Sequence, residues 1–183
     1  AINIKKSVCT RIGSTWDAKC GAIVTLDGNQ IQWVDKVRYL GVVIISGKSF
    51  RWCFENAKKS FYRAFNAVFG KIGKIASEEV ILSLIKTKCL PCVLFCVEVC
   101  PLNKSDFRSL NFTVTRVMMK LFRKFSNTVI QDCQHFFNFP SVDTLVRQRT
   151  IAFLRKYCVL NNSLTNVFVG DAQRQLASAM IVL

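Results

Sequence analysis

Val37-Arg38-Tyr39-Leu40-Gly41-Val42-Val43-Ile44-Ile45, then Ser46-Gly47-Lys48-Ser49, then an apolar stripe at Phe54, Ala57, Phe61, Phe65 and Val68: across this stretch the chain changes character. The first nine residues are rich in β-branched and aromatic types and read as a strand. The Ser-Gly-Lys-Ser run breaks that pattern. The stripe after it steps by three and four, the spacing that gathers side chains on one face of a helix. Upstream, residues 7–12 read as a short extended run. Residues 22–26 and 31–34 flank Asp27-Gly28-Asn29-Gln30, a hairpin turn signal. Strands are therefore expected before residue 46 and helices after it.

Downstream, Gly70 and Gly73 are expected to end the first helix. Ser77 is the candidate N-cap of the next, with Glu78 and Glu79 suited to the helix dipole. Val80, Leu84 and Ile85 begin its buried face, and Pro91 should kink or divide it. A third helix is expected from residues 103–105, carrying Leu110, Val114, Val117 and Leu121, with Met118, Phe122 and Phe125 widening the stripe. A fourth should start at Pro140 or Ser141 and run to about Tyr157, and a short one is expected over residues 171–180. The fold class is α+β: a small antiparallel sheet followed by a mainly α-helical bundle. The expected division is 1–48, 49–160 and a truncated C-terminal segment, 161–183.

Composition limits the function classes. The 183 residues are 51% apolar, with 15 Phe, so the chain can build a core and is not low-complexity. Lys and Arg number 26 against 11 Asp and Glu, a formal charge of +15. Such an excess favours a partner that brings negative charge, nucleic acid ahead of an anionic membrane surface. Membrane insertion fails on length: the longest apolar run, residues 89–100, spans 12 residues and contains Glu98, against the roughly 20 a spanning helix needs. Residues 1–6 carry neither Met nor an apolar leader, and residues 180–183 are apolar and uncapped, so a piece of a longer chain is expected. The odd count of nine cysteines fits reduced thiols in cytoplasm or nucleus. Cys89, Cys92, Cys96 and Cys100 follow steps of three, four and four. That spacing favours a packed helix face over a zinc site or redox use of Cys89-Leu90-Pro91-Cys92.

The charge is patterned as well as large. Between Lys36 and Lys74 stand nine cations (Lys36, Arg38, Lys48, Arg51, Lys58, Lys59, Arg63, Lys71, Lys74) and one acid, Glu55. Arg51, Lys58 and Lys59 are expected on the first helix opposite its Phe stripe, with Tyr62 and Arg63 toward the aromatic boundary. Arg116, Lys120, Arg123 and Lys124 form a second basic face. A solvated face normally mixes signs, so these favour phosphate tracking over a soluble surface with no partner. Enzyme motifs are lacking. His135 has no Cys or Ser motif beside it, the acids are scattered, and Gly70-Lys71-Ile72-Gly73-Lys74 lacks the spacing of a phosphate loop.

Three stretches together resemble the reverse transcriptases of non-LTR (LINE-like) retrotransposons. Asn3-Ile4-Lys5-Lys6-Ser7 is similar to the Asn-x-x-Lys-Ser signature of the palm. Val37-Arg38-Tyr39-Leu40-Gly41-Val42 is similar to the Tyr-Leu-Gly primer grip. Phe61-Tyr62-Arg63-Ala64-Phe65-Asn66, Phe69-Gly70-Lys71-Ile72-Gly73, Ala76-Ser77-Glu78-Glu79-Val80 and Lys88-Cys89-Leu90-Pro91 resemble the helical thumb of such elements. The resemblance covers residues 1–157. It implies that residues 1–48 are a palm edge and 49–160 a thumb and connecting region. Lys6 then matches a lysine that protonates leaving pyrophosphate, with Lys5 beside it among the nucleic-acid contacts. Tyr39, Leu40 and Gly41 match the grip on the primer 3′ end, and the partners are an RNA template, a DNA primer and the rest of the polyprotein. The family's Asp-Asp pair lies upstream of the Asn-x-x-Lys-Ser segment. No metal or cofactor is thus expected here, Mg²⁺ is implied for the parent enzyme, and the isolated chain is expected to be inactive. The rival expectation is a retained or decayed element fragment: a non-catalytic module that binds RNA or DNA, or the remainder of a polyprotein, or a copy with no function.

Overall fold

In the computed structural model, which describes residues 2–73 and 75–181, the strand-forming residues gather in one compact unit, Ala1–Phe54, and the helices in another, Glu55–Leu183. The class is α+β, as the sequence indicates. The division falls after the last strand, so residues 49–54 belong with the sheets.

The first unit holds a one-turn 3₁₀ helix, Ile4–Lys6, and six strands: β1 (Val8–Cys9), β2 (Ile23–Val24), β3 (Gln30–Trp33), β4 (Lys36–Tyr39), β5 (Val42–Ile45) and β6 (Arg51–Cys53). β2 and β3 form the hairpin expected around Asp27-Gly28, whose turn closes through the Thr25 N–H donating to the Asn29 carbonyl at 2.8 Å. β1 joins β3 in parallel, so this sheet is mixed where an antiparallel one was expected. The second sheet is an antiparallel meander, β4-β5-β6.

Residues 37–45 are two strands and not one. Tyr39 pairs with Val42, and Leu40 and Gly41 between them take φ of +46° and +87°. Two successive positive φ values make the type I′ turn whose twist matches that of a hairpin. Gly41 adopts this freely; Leu40 does not.

The second unit consists of α1 (Glu55–Ile72), α2 (Glu78–Leu84), a π-helical turn (Ile85–Cys89), α3 (Leu90–Val93), α4 (Lys104–Phe122), α5 (Asn127–Phe136), α6 (Val142–Val159) and α7 (Ser163–Ile181). Phe61 and Phe65 of α1 are fully buried, contributing on the order of 2–3 kcal/mol each. α1 begins at Glu55, which leaves Phe54 in the first unit, where its ring meets Trp52 at 4.4 Å. α1 runs through Gly70 and stops at Gly73, where a Cβ would collide with the Phe69 carbonyl and ring. Ser77 stands at the N-cap of α2 in extended conformation, but its hydroxyl makes no cap hydrogen bond. Asn103 and Asp106 close a reciprocal capping box on α4, and the Ser141 hydroxyl accepts from the Thr144 N–H on α6.

Pro91 divides its helix as expected. A proline ring crowds the carbonyl four residues earlier and offers no N–H, and the wider π turn just before it accommodates both. The helix does not run on to Cys100, however. It ends at Val93, and Cys96 turns the chain with φ of +60°. α4 ends at Phe122 because Arg123 is left-handed (φ +54°), so Phe125 lies outside the helix. α5 has no counterpart in the sequence expectation, and α7 is longer than the 171–180 segment expected.

α1 packs on the π turn and α3. α4 packs on α1, α5 and α6, and α6 carries α7. The core of the unit is built from Leu110, Val114, Val117 and Met118 of α4 with Ile81, Ile85, Ile130, Val142 and Leu154. Among the described residues no helix is long and apolar enough to cross a membrane.

Candidate nucleic-acid interface

Strand register assembles the first basic surface. Directly paired residues point to the same face of a sheet, and successive residues alternate. Lys36 pairs with Ile45, which pairs with Arg51; Arg38 pairs with Val43, which pairs with Cys53. One face of the meander thus carries Lys36, Arg38 and Arg51, all exposed, around Val43, Ile45 and Cys53. The other face carries Val37, Ile44 and buried Trp52. Arg51 was expected on the first helix; it lies on β6, since the helix starts four positions later at Glu55. Tyr39 (61% exposed) and Leu40 (75% exposed) stand at the hairpin tip with Gly41. Lys48 is exposed in the bend after β5, and Lys5 and Lys6 are exposed in the N-terminal turn.

The second surface belongs to α1 and α4. Lys58 bonds to Ser109 near the start of α4, and Lys120 near its end bonds to Asn66 farther along α1, so the two helices run in the same direction. Lys59, Arg63 and Lys71 are exposed along α1. Lys58 departs from the expectation: it is half-buried, its Nζ donating to the Ser109 hydroxyl at 2.9 Å, so it ties two helices together instead of facing water. Lys74 lies outside the described residues.

Between the two helices opens a cleft of about 590 Å³, lined by Tyr62, Phe65 and Asn66 of α1 and by Arg116, Lys120 and Arg123 of the α4 side, with Phe125 also on its wall. Lys120 Nζ is held by the Asn66 Oδ1 at 3.1 Å and stands 5.6 Å and 5.4 Å from the ring centres of Phe65 and Phe69. Arg116 lies 5.6 Å from the Phe112 ring centre. Both are cation–π contacts that fix a charge without neutralising it. Lys124 is exposed beside Arg123.

Among the described residues none of these cations has a carboxylate partner; ion pairs instead join Arg149 to Glu98 at 3.8 Å and Arg174 to Asp171. The structure therefore brings Arg116, Lys120 and Arg123 together with Tyr62, and Lys36, Arg38 and Arg51 together on a separate sheet. The sequence reading missed Asn66 and Phe69, although the Phe112, Arg116, Lys120 series at steps of four pointed to one helix face.

Among the described residues no group of three or more His, Cys, Asp or Glu converges. His135 is exposed in the last turn of α5. Burial pushes the thiols of Cys89 and Cys100 up to about 11, with neighbouring Cys92 raising the first and Cys96 and Glu98 the second. Burial, then Glu98, also raises Cys96. Thiols so shifted stay protonated near neutrality, the opposite of an activated nucleophile. Compared with protein-family models, with curated proteins and with solved structures, the chain matches none.

Proposed function

We propose that the chain is a nucleic-acid-holding part of a reverse transcriptase of the non-LTR retrotransposon type, gripping RNA template and DNA primer for synthesis catalysed by residues of the parent protein outside this sequence. One observation carries the reading: the meander gathers Lys36, Arg38 and Arg51 on one face of the same small sheet whose hairpin tip is Tyr39-Leu40-Gly41. The residues that resemble a primer grip and the cations suited to phosphates thus share one element. The cations along α1 and α4, which among the described residues have no carboxylate partner, support the same reading, because a hybrid duplex is held mainly by backbone and shape.

The experiment replaces Lys36, Arg38 and Arg51 with Glu and measures binding to an RNA–DNA hybrid. A control replaces exposed Lys19, Arg155 and Lys156 with Glu, changing net charge equally. Losing three phosphate contacts should weaken binding by about tenfold or more, and the control should lose far less. Equal losses in both would mean that net charge alone attracts the nucleic acid.

A further inference from the structure

We infer that the cleft between α1 and α4 receives one unpaired nucleotide of the bound strand, its base against Tyr62 and Phe125 and its phosphate on Lys120 and the flanking arginines. This rests on the nucleic-acid reading above and adds a preference for single-stranded extensions that duplex tracking does not require.

The lining is a mixture that neither an apolar ligand nor a simple anion explains. Three cations stand round it with no carboxylate among the lining residues, which calls for an anion. Aromatic rings stand beside them. Tyr62 is half-buried on the wall, and Phe125 is 87% exposed, a large ring left in water at a cleft margin. An anion attached to a flat ring satisfies both halves, and a nucleotide is such a ligand. A paired base keeps its faces within the duplex stack, so only an unpaired one can offer a face to a side chain.

Lys120 is already in position. Its ammonium spends one donor on Asn66 Oδ1 and rests over Phe65 and Phe69, leaving further N–H groups for a phosphate oxygen. A cation fixed before binding loses little conformational freedom on binding. Asn66 accepts through its carbonyl oxygen, which leaves its amide N–H₂ to donate to a base edge. The left-handed Arg123 ends α4 at the cleft, directing the chain so that Phe125 joins its wall.

Fluorescence anisotropy with the full chain tests this, using a blunt RNA–DNA hybrid and the same hybrid with a short single-stranded overhang. The overhang should bind about tenfold more tightly, the scale of one stacked base. In the Tyr62→Ala/Phe125→Ala variant, confirmed folded by circular dichroism, the ratio of the two affinities should fall toward one. Tyr62→Phe should preserve it, since the ring is kept. A fluorescent purine analogue in the overhang should be quenched by the unaltered chain and not by the double variant. Equal affinities for the unaltered chain, or a ratio unchanged in the double variant, would overturn the inference while leaving hybrid binding intact. Failure to bind either substrate would overturn the reading beneath it as well.

Discussion

Leu40 holds a left-handed conformation, φ +46°, at the tip of the β4–β5 hairpin, with its side chain in water. For a residue with a Cβ that conformation costs about 1–2 kcal/mol, and Asn followed by Gly is the pair a type I′ turn favours. Leu40→Asn should therefore raise unfolding stability by about 1 kcal/mol in urea titrations. If the exposed leucine meets the primer end, the same variant should bind a hybrid less tightly. A variant that is no more stable would mean that the turn carries no strain. Residues 37–45 were readable as extended chain, but a reading by composition passed over the one glycine that folds them in two. Lys58 was misplaced for a similar reason. It precedes Phe61 by three residues and Phe65 by seven, which puts it beside the stripe, so spacing and charge conflict at this position. The structure resolves the conflict by burying the aliphatic stem and satisfying the ammonium on Ser109.

Cys89 to Cys100 illustrates the same point for whole elements. The steps of three, four and four share a face only while a helix lasts, and this one ends at Val93. Val, Phe and Cys are weak helix formers, and Pro101 disfavours helical backbone at Cys100. The end of α4 was hidden because Arg123, not glycine, takes the left-handed position there. α5 was hidden because Ile130 is its one fully buried side chain among mostly polar neighbours. Strongly striped α1 and α4, and α6 with its Ser141 cap, were legible. Buried Cys89 and Cys100 add a pH dependence. Their folded values, near 11, lie above the ordinary thiol value of 9.0, so between these limits the unfolded chain releases protons that the folded chain keeps. Stability should be unaffected by these thiols below about pH 8.5 and should fall from there toward pH 11, by up to about 1.4 kcal/mol per pH unit for each thiol. Chemical denaturation across that range, repeated with Cys89→Ala and Cys100→Ala, checks it. The decline should be shallower in the variants, and an identical decline would assign it to other groups.

At the scale of the molecule, +15 of net charge is spread over two compact units, and among the described residues the cations singled out in each stand without carboxylate partners. The sequence showed the size of that charge and most of its carriers. Which cations share a surface depended on strand register and on the approach of α1 to α4, neither of which local spacing determines. The most direct measurement of the central claim is the affinity of the full chain for an RNA–DNA hybrid at several salt concentrations. If some five phosphates are neutralised across these surfaces, log K against log salt should fall with a slope of about −4 or steeper, taking roughly −0.9 per phosphate from B-form DNA as the guide. A slope near zero, or no binding at the lowest salt, would contradict the claim that this chain holds nucleic acid through its phosphates.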